Sequence, residues 1–111
     1  MVHCDHGRPA RIGCGVTIGH GAVIHGSRIA DGCLIGMGAT VLECSLGREC
    51  LVGAGALVPK GVRIPARCLV LGLPGKVARP LTAAELRSLK RSAAAYMRLA
   101  RQHRHGSRVI F

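Results

Sequence analysis

Aromatic side chains are almost absent from this 111-residue chain, which contains one Phe, one Tyr and no Trp. A core must therefore be built from Val, Ile, Leu, Ala and Gly. The 16 glycines favour a repetitive, tightly turning backbone over a packed helical globule, because glycine readily adopts the conformations that tight turns need. A chain of this length forms one domain or part of one.

Signal-like and membrane-spanning segments are also absent from the sequence. The opening MVHCDHGRPAR carries charged and polar side chains, and no uncharged apolar run approaches the roughly 18 residues of a membrane span. The six cysteines lack the CxxC spacing of zinc ribbons and redox pairs, and no secretion signal supports a disulfide framework. The sequence predicts a soluble, cytoplasmic protein with no membrane partner.

Acidic residues are scarce, since five Asp and Glu face 16 Lys and Arg, which gives a net charge of +11 at pH 7. Arginine-rich helices bind phosphate backbones, so nucleic-acid binding has to be considered. The chain offers neither stacking aromatics nor a base-reading motif. A solvated basic helix face is the simpler explanation, and nucleic-acid binding is disfavoured.

A hexapeptide period runs through the first two thirds of the chain. The repeating aliphatic residues are Ile12, Ile18, Ile24, Ile29, Ile35, Val41, Leu46, Val52, Val58, Ile64 and Val70. The step is six within each group of three and five between the first groups, so a larger unit of three hexapeptides begins again at Ile29, Leu46 and Ile64. This pattern predicts a solenoid whose coils consist of three short strands with one shortened corner.

Small residues occupy a second repeating position, four places after the aliphatic one. Cys33, Cys50 and Cys68 take the place that Ala or Val fills elsewhere. They are therefore interpreted as small buried hydrophobic residues.

The register stops after Val70 at LGLPGKVARPL, where prolines and glycines predict a connector rather than a strand. Thr82 and Glu85 then form a capping-box pattern that predicts a helix from about Ala83 to about His103. Its apolar stripe comprises Leu86, Leu89, Ala93, Tyr96, Met97 and Ala100. This stripe is expected to dock on the solenoid or a neighbouring subunit, with a loose tail from Arg104. The predicted units are a β-helix at 1–72, a connector at 73–81 and a helix with its tail at 82–111.

Three histidines can be placed in the coil register. His25 follows Ile24, and His3 follows Val2, one coil earlier if CDHGRP is a loop inserted into that coil. Their side chains would project from one edge, roughly 5 Å apart. His20 lies on the preceding strand and should face a second subunit. Two imidazoles from one chain and one from its neighbour leave a position open for water, as in a catalytic zinc site.

The segments HCDHGRPARIG, VTIGHGAVIHG, DGCLIGMGATVL, LVGAGALVPKG and LVLGLPGKVARPLT together resemble the γ-class carbonic anhydrase family of hexapeptide-repeat proteins. The resemblance implies an all-β solenoid, a left-handed parallel β-helix with a C-terminal α-helix, although the periodicity itself does not fix the hand. It also implies a homotrimer that holds Zn²⁺, Fe²⁺ or Co²⁺ through His3 and His25, with His20 serving the site of the adjacent subunit. Tyr96 matches a tyrosine of the family's C-terminal helix. Relative to the family the chain is N-terminally short, and it would lack upstream coils that support the metal site.

The resemblance implies a lyase (carbonate dehydratase) reaction, in which a metal-bound hydroxide at a subunit interface hydrates carbon dioxide to bicarbonate. A bound metal lowers the pKa of water to about 7, which makes hydroxide available at neutral pH. His6, near the first ligand, could shuttle protons, and Cys4 and Asp5 could hydrogen-bond a ligand histidine. One alternative is a trimeric acyltransferase that uses His20 or His25 as general base. Another is a metal-binding trimer without catalysis.

Overall fold

The computed structural model is a parallel β-solenoid of about four coils with one helix at its C-terminal side. It describes residues 2–3 and 10–102, with side chains described over 10–92. In chain order the elements are β1 (Val2–His3), β2 (Arg11–Ile12), β3 (Thr17–Ile18), β4 (Val23–His25), β5 (Arg28–Ile29), β6 (Leu34–Ile35), β7 (Thr40–Leu42), β8 (Ser45–Leu46), β9 (Leu51–Val52), β10 (Leu57–Val58), β11 (Arg63–Ile64), β12 (Cys68–Leu71), β13 (Lys76–Pro80) and α1 (Ala83–Gln102).

The strands form three sheets, one on each face of the coil. The histidine face has the order β1-β4-β7-β10, the arginine face β2-β5-β8-β11, and the helix face β3-β6-β9-β12 with β13 at its edge. All pairs are parallel except β12 with β13. Each strand from β1 to β12 therefore pairs with the strand one coil away, as predicted for a hexapeptide solenoid. The left-handed form remains a prediction from the resemblance.

The coil register follows the predicted period. On the arginine face, Ile12, Ile29, Leu46 and Ile64 pair in that order and form the inward column. The last of these coils is one residue longer than the others. The extra residue lies at the corner before the arginine face, because Val58 to Ile64 takes six steps where Val41 to Leu46 takes five. The predicted solenoid with one shortened corner is confirmed.

The core is a stack of aliphatic columns with small residues at the corners between them. The largest fully buried aliphatic side chains are Ile24, Ile29, Ile35, Val41, Leu46, Val52, Val58 and Val70. Cys33 and Cys50 are buried at corners and Cys68 is buried at the start of β12, which confirms their interpretation as small core residues. Coils approach closely at Gly36, where an added Cβ would lie 2.6 Å from the backbone nitrogen of Ala54.

The stretch after Val70 differs from the sequence-based prediction. Residues 73–81 are predicted to be a connector, whereas β13 occupies most of this stretch and pairs antiparallel with β12. Pro80 is compatible with a strand here because it is the last residue of β13, at the edge of the sheet. The hairpin thus covers the edge that the helix face would otherwise leave open.

The helix begins as the capping box predicts. Glu85 N donates to Thr82 Oγ1 at 3.1 Å, and Thr82 N donates to Glu85 Oε1 at 2.8 Å. Leu89 is buried against Leu69 and Leu81 on the helix face, so the predicted docking on the solenoid is confirmed for this part of the stripe. No helix in the described part of the chain combines the length and apolarity that crossing a membrane requires.

Candidate metal site

His3 and His25 lie side by side on the histidine face. The parallel pairing of β1 with β4 aligns Val2 with Ile24 and His3 with His25. The chain between Val2 and Ile24 is longer than the chain between Ile24 and Val41, its partner in the next coil. This longer connection is in line with the predicted loop at CDHGRP. For paired neighbouring strands a backbone spacing of about 4.8 Å is expected.

The backbone around His25 is held by the following corner. The carbonyl of His25 accepts a hydrogen bond from Glu43 N at 2.7 Å and another from Ser27 Oγ at 3.1 Å. Ile24 points into the core, so His25 faces outward on the histidine face, where it is half-buried and its Nε2 atom is buried. Leu42 lies next to it in the following coil. The ring therefore projects from a fixed strand, which suits a residue that has to position a ligand atom.

His20 lies in the exposed turn after β3 and not on the strand where the coil register predicts it. Gly21, with φ of 73°, gives this turn its left-handed step. The carbonyl of His20 accepts a hydrogen bond from Gly38 N at 3.0 Å, which ties the turn to the next coil. His20 thus belongs to the corner between the helix face and the histidine face.

The end of the helix face carries exposed apolar side chains that the coil register does not predict. Met37 follows His20 one coil later and is 44% exposed, while Leu71 and Leu73 at the end of the stack are 47% and 74% exposed. A sequence signal existed, because Met37 takes the same place in IGMGA that His20 takes in IGHGA one coil earlier. Of these three, only Met37 lies in the coil next to His20.

The remaining predicted site residues are not tested by the structure. His6, Cys4 and Asp5 lie outside the described residues. Tyr96 lies within α1, beyond the residues whose side chains are described. Among the described side chains, no group of three or more His, Cys, Asp or Glu is arranged to hold a metal ion. Because the His3 side chain is not among them, the ligand set of His3, His20 and His25 remains a prediction.

The buried cysteines form contacts that explain them as structural residues. The Cys33 and Cys50 thiols each donate to a backbone carbonyl, of Gly47 and Pro65, at 3.1 Å. The neighbouring Cys50 thiol and then burial raise the pKa of Cys33. The same interaction between the two thiols lowers the pKa of Cys50 to about 7. Both thiols are shielded from solvent by the core, so no external nucleophilic role follows.

A groove lies between the solenoid and α1, at the corner between the arginine face and the helix face. This groove of about 390 Å³ is lined by Cys14, Asp31, Arg48, Glu49, Leu89 and Lys90, among others. The Cys14 backbone nitrogen donates to Asp31 Oδ1 at 2.8 Å, so this carboxylate caps the neighbouring corner. The mixed charge of the groove gives it no single ligand preference.

Two family models match the chain. "Bacterial transferase hexapeptide (six repeats)" matches residues 9–43, and "Hexapeptide repeat of succinyl-transferase" matches residues 44–71. Together they span more than half of the chain, and the three-faced solenoid is the fold that this repeat builds. The chain therefore belongs to the hexapeptide-repeat proteins.

Within that class the chain is γ-carbonic-anhydrase-like. It is 50% identical over 101 residues to the "Probable carbonic anhydrase" of Methanocaldococcus jannaschii, covering 90% of this chain and 64% of the relative. The resemblance indicated by the sequence motifs is thus confirmed. The chain spans just under two thirds of that relative's length.

Solved structures give the same fold. The structure of a "putative acetyltransferase" from Bacillus cereus superposes with a TM-score of 0.89 at 33% identity, covering 92% of this chain and 60% of that one. A hexapeptide transferase family protein from Anaplasma phagocytophilum gives 0.61 at 21% identity, covering 91% and 92%. The second similarity shows the fold alone.

Proposed function

We propose that this chain forms a trimer that binds one divalent metal ion per subunit interface and hydrates carbon dioxide. The observation that carries the proposal is the register that puts His3 beside His25 on one face. Two imidazoles on adjacent strands, about 4.8 Å apart at the backbone, are close enough to share one ion. The similarity to a probable carbonic anhydrase supports the same chemistry.

The donor set fits Zn²⁺, with Fe²⁺ or Co²⁺ as alternatives, because imidazole nitrogen suits all three. His3 and His25 would supply two nitrogens from one protomer. His20 occupies a different corner, and the exposed Met37 beside it supports contact with a second copy that would receive the third nitrogen. Three protein ligands leave a position open, as catalytic zinc sites require.

The chain's own residues have positioning roles in this proposal. Ser27 and Glu43 hold the carbonyl of His25, so the imidazole is presented from a fixed backbone. Leu42, in the coil next to His25, supplies an apolar wall that suits an apolar substrate such as carbon dioxide. When bound, zinc lowers the pKa of a coordinated water to about 7 and so supplies the nucleophile. His6 is the proposed proton shuttle, and Tyr96 would act from the C-terminal helix.

Metal analysis of the purified protein tests the ligand set. The native chain should contain about one ion per chain, and His25→Ala should lose it, because two remaining imidazoles hold zinc far more weakly than three. His103→Ala, which removes a histidine that follows the hexapeptide repeats in the sequence, is the matched control and should keep its metal. Equal metal content in all three proteins would overturn the assignment.

Mixing two inactive variants tests whether the site is shared. His20→Ala protomers keep His3 and His25, while His25→Ala protomers keep His20. In randomly mixed trimers about one quarter of the interfaces should combine the intact halves and regain metal. Recovery of no metal in assembled mixed trimers would contradict the shared site, as would a monomer in sedimentation analysis.

Stopped-flow carbon dioxide hydration then tests the reaction itself. The metal-loaded native protein should accelerate hydration, and His25→Ala should reduce the rate to the uncatalysed background. A loaded trimer without hydration activity would contradict the enzymatic part of the proposal. It would assign the chain to the metal-binding trimers without catalysis.

Acyl transfer is the second candidate, favoured by the similarity to the Bacillus cereus structure named as an acetyltransferase. In that reaction the exposed His20 could act as general base toward an acceptor hydroxyl or amine. A single general base does not need the pairing of His3 with His25, so the metal proposal explains more of the structure. Titration with acetyl-CoA separates the two, because binding by a metal-free protein would favour acyl transfer.

A further inference from the structure

A column of positively charged side chains runs along the arginine face. Arg11 pairs with Arg28, Arg28 with Ser45, and Ser45 with Arg63, one residue per coil. We call these four residues the arginine ladder. Each precedes the inward aliphatic residue of its strand, so each points outward, and the three arginines are exposed. At about 4.8 Å per strand, the ladder spans roughly 14 Å.

The charges of the ladder are not compensated within the described protein. Arg11 and Arg28 lie directly opposite each other on parallel strands, an arrangement of like charges that destabilises a sheet. Each of the four described carboxylates is engaged elsewhere: Asp31 with the Cys14 backbone, Glu43 with Lys60, Glu49 with Arg67 and Glu85 with Arg79. Among the described residues, none of them pairs with a ladder arginine. A bound anion would relieve this repulsion.

The arginine face differs from the other two faces of the solenoid. The helix face is covered by α1 through Leu69 and Leu89, and the histidine face carries the candidate metal site. The outward positions of the arginine face present guanidinium and hydroxyl groups in a straight row, with no aromatic side chain among them. Such a row fits a ligand with repeated negative charge and no base to stack.

We propose that the arginine ladder binds a linear phosphate polyanion of the inorganic polyphosphate class. Guanidinium groups donate paired hydrogen bonds to phosphate oxygens, and the Ser45 hydroxyl can donate a further one between Arg28 and Arg63. The polymer carries a negative charge on every unit, so one chain lying along the row can contact all three arginines. The proposal is independent of the metal site, since the ladder lies on a different face.

Calorimetric titration of the full chain with inorganic polyphosphate tests this proposal. The ladder variant replaces Arg11, Arg28 and Arg63 with Gln. The matched control makes the same change at Lys76, Arg87 and Arg91, which are also exposed, so both variants lose three charges. The ladder variant should bind at least about tenfold more weakly, and the slope of log K against log salt should fall by about two, as expected for three lost phosphate contacts. The control should retain most of the affinity.

Two further measurements decide what a loss of binding means. The thermal unfolding temperature of the ladder variant should be no lower than that of the native chain, because the substitutions remove repulsion between like charges and no stabilising contact. A Lys variant at the same three positions should keep the charge but bind several-fold more weakly than the native chain. Equal losses in the ladder variant and the control would overturn the proposal. So would equal or tighter binding of single-stranded DNA carrying the same number of phosphates.

Discussion

Ile29→Ala is the most direct test of how the solenoid is stabilised. Ile29 is 1% exposed and lies between Ile12 and Leu46 in the inward column of the arginine face. The substitution removes three carbon groups, worth about 2.4 kcal/mol at about 0.8 kcal/mol each. A residual cavity of about 50 Å³ adds about 1.2 kcal/mol, since the neighbouring coils are held by the backbone ladder. The expected loss in the free energy of unfolding is therefore about 3.5 kcal/mol.

Ile12→Ala is the matched control, because it makes the same change in the same column. Ile12 is 37% exposed at the first coil of that column. Because about two thirds of the Ile12 side chain is buried, about two thirds of the transfer free energy is lost, and no enclosed cavity forms. The expected loss in the free energy of unfolding is therefore about 1.5 kcal/mol.

Urea unfolding followed by far-ultraviolet circular dichroism measures both losses, and equal protomer concentrations are needed because assembly stabilises the folded state. Tryptophan fluorescence is not an option, since the chain has no Trp. Equal losses for Ile29→Ala and Ile12→Ala would refute the reasoning that the depth of a coil in the stack sets the cost.

Gly36→Ala should lower the free energy of unfolding by several kcal/mol in the same assay, because its Cβ would meet the next coil's backbone at 2.6 Å; a change under about 1 kcal/mol would contradict this. Hydrogen bonding to Arg79 lowers the pKa of Glu85 to about 2, below its unfolded value of 4.5, so its stabilising effect is complete above about pH 4.5 and lost toward pH 2. Glu85→Gln should therefore reduce the loss of helical circular dichroism that the native chain shows between about pH 4.5 and about pH 2. In a Cys4→Ser background, a thiol reagent should modify Cys14 rapidly and the four buried cysteines only on unfolding; rapid reaction of several thiols would contradict the burial of these four side chains.

Much of the fold could be predicted because the hexapeptide period is local information. Each aliphatic residue reports its own position in the coil, so Ile12, Ile29 and Leu46 could be assigned to one column without any knowledge of contacts. The hairpin of β13 could not be predicted in this way. Its prolines and glycines predict a connector, and only the open edge of β12 gives the segment a partner.

The candidate site, like the fold, could be predicted from the sequence only in part. The period predicted that His3 and His25 would be neighbours, and the pairing of β1 with β4 confirms it. The position of His20 in a turn beside the exposed Met37 became visible only in the folded chain, because a corner side chain has neighbours that the strand period does not describe.

The sequence by itself determined the coil, its length and the side chains that point inward, because burial selects aliphatic residues at fixed intervals. Only the tertiary structure decided what each outer face presents. Arg28 and Arg63 lie two coils apart in the chain, yet they share one ladder, because stacking of coils brings distant residues into a single column. Outward positions carry no hydrophobic period, so their alignment follows from the corners and the backbone pairing between coils.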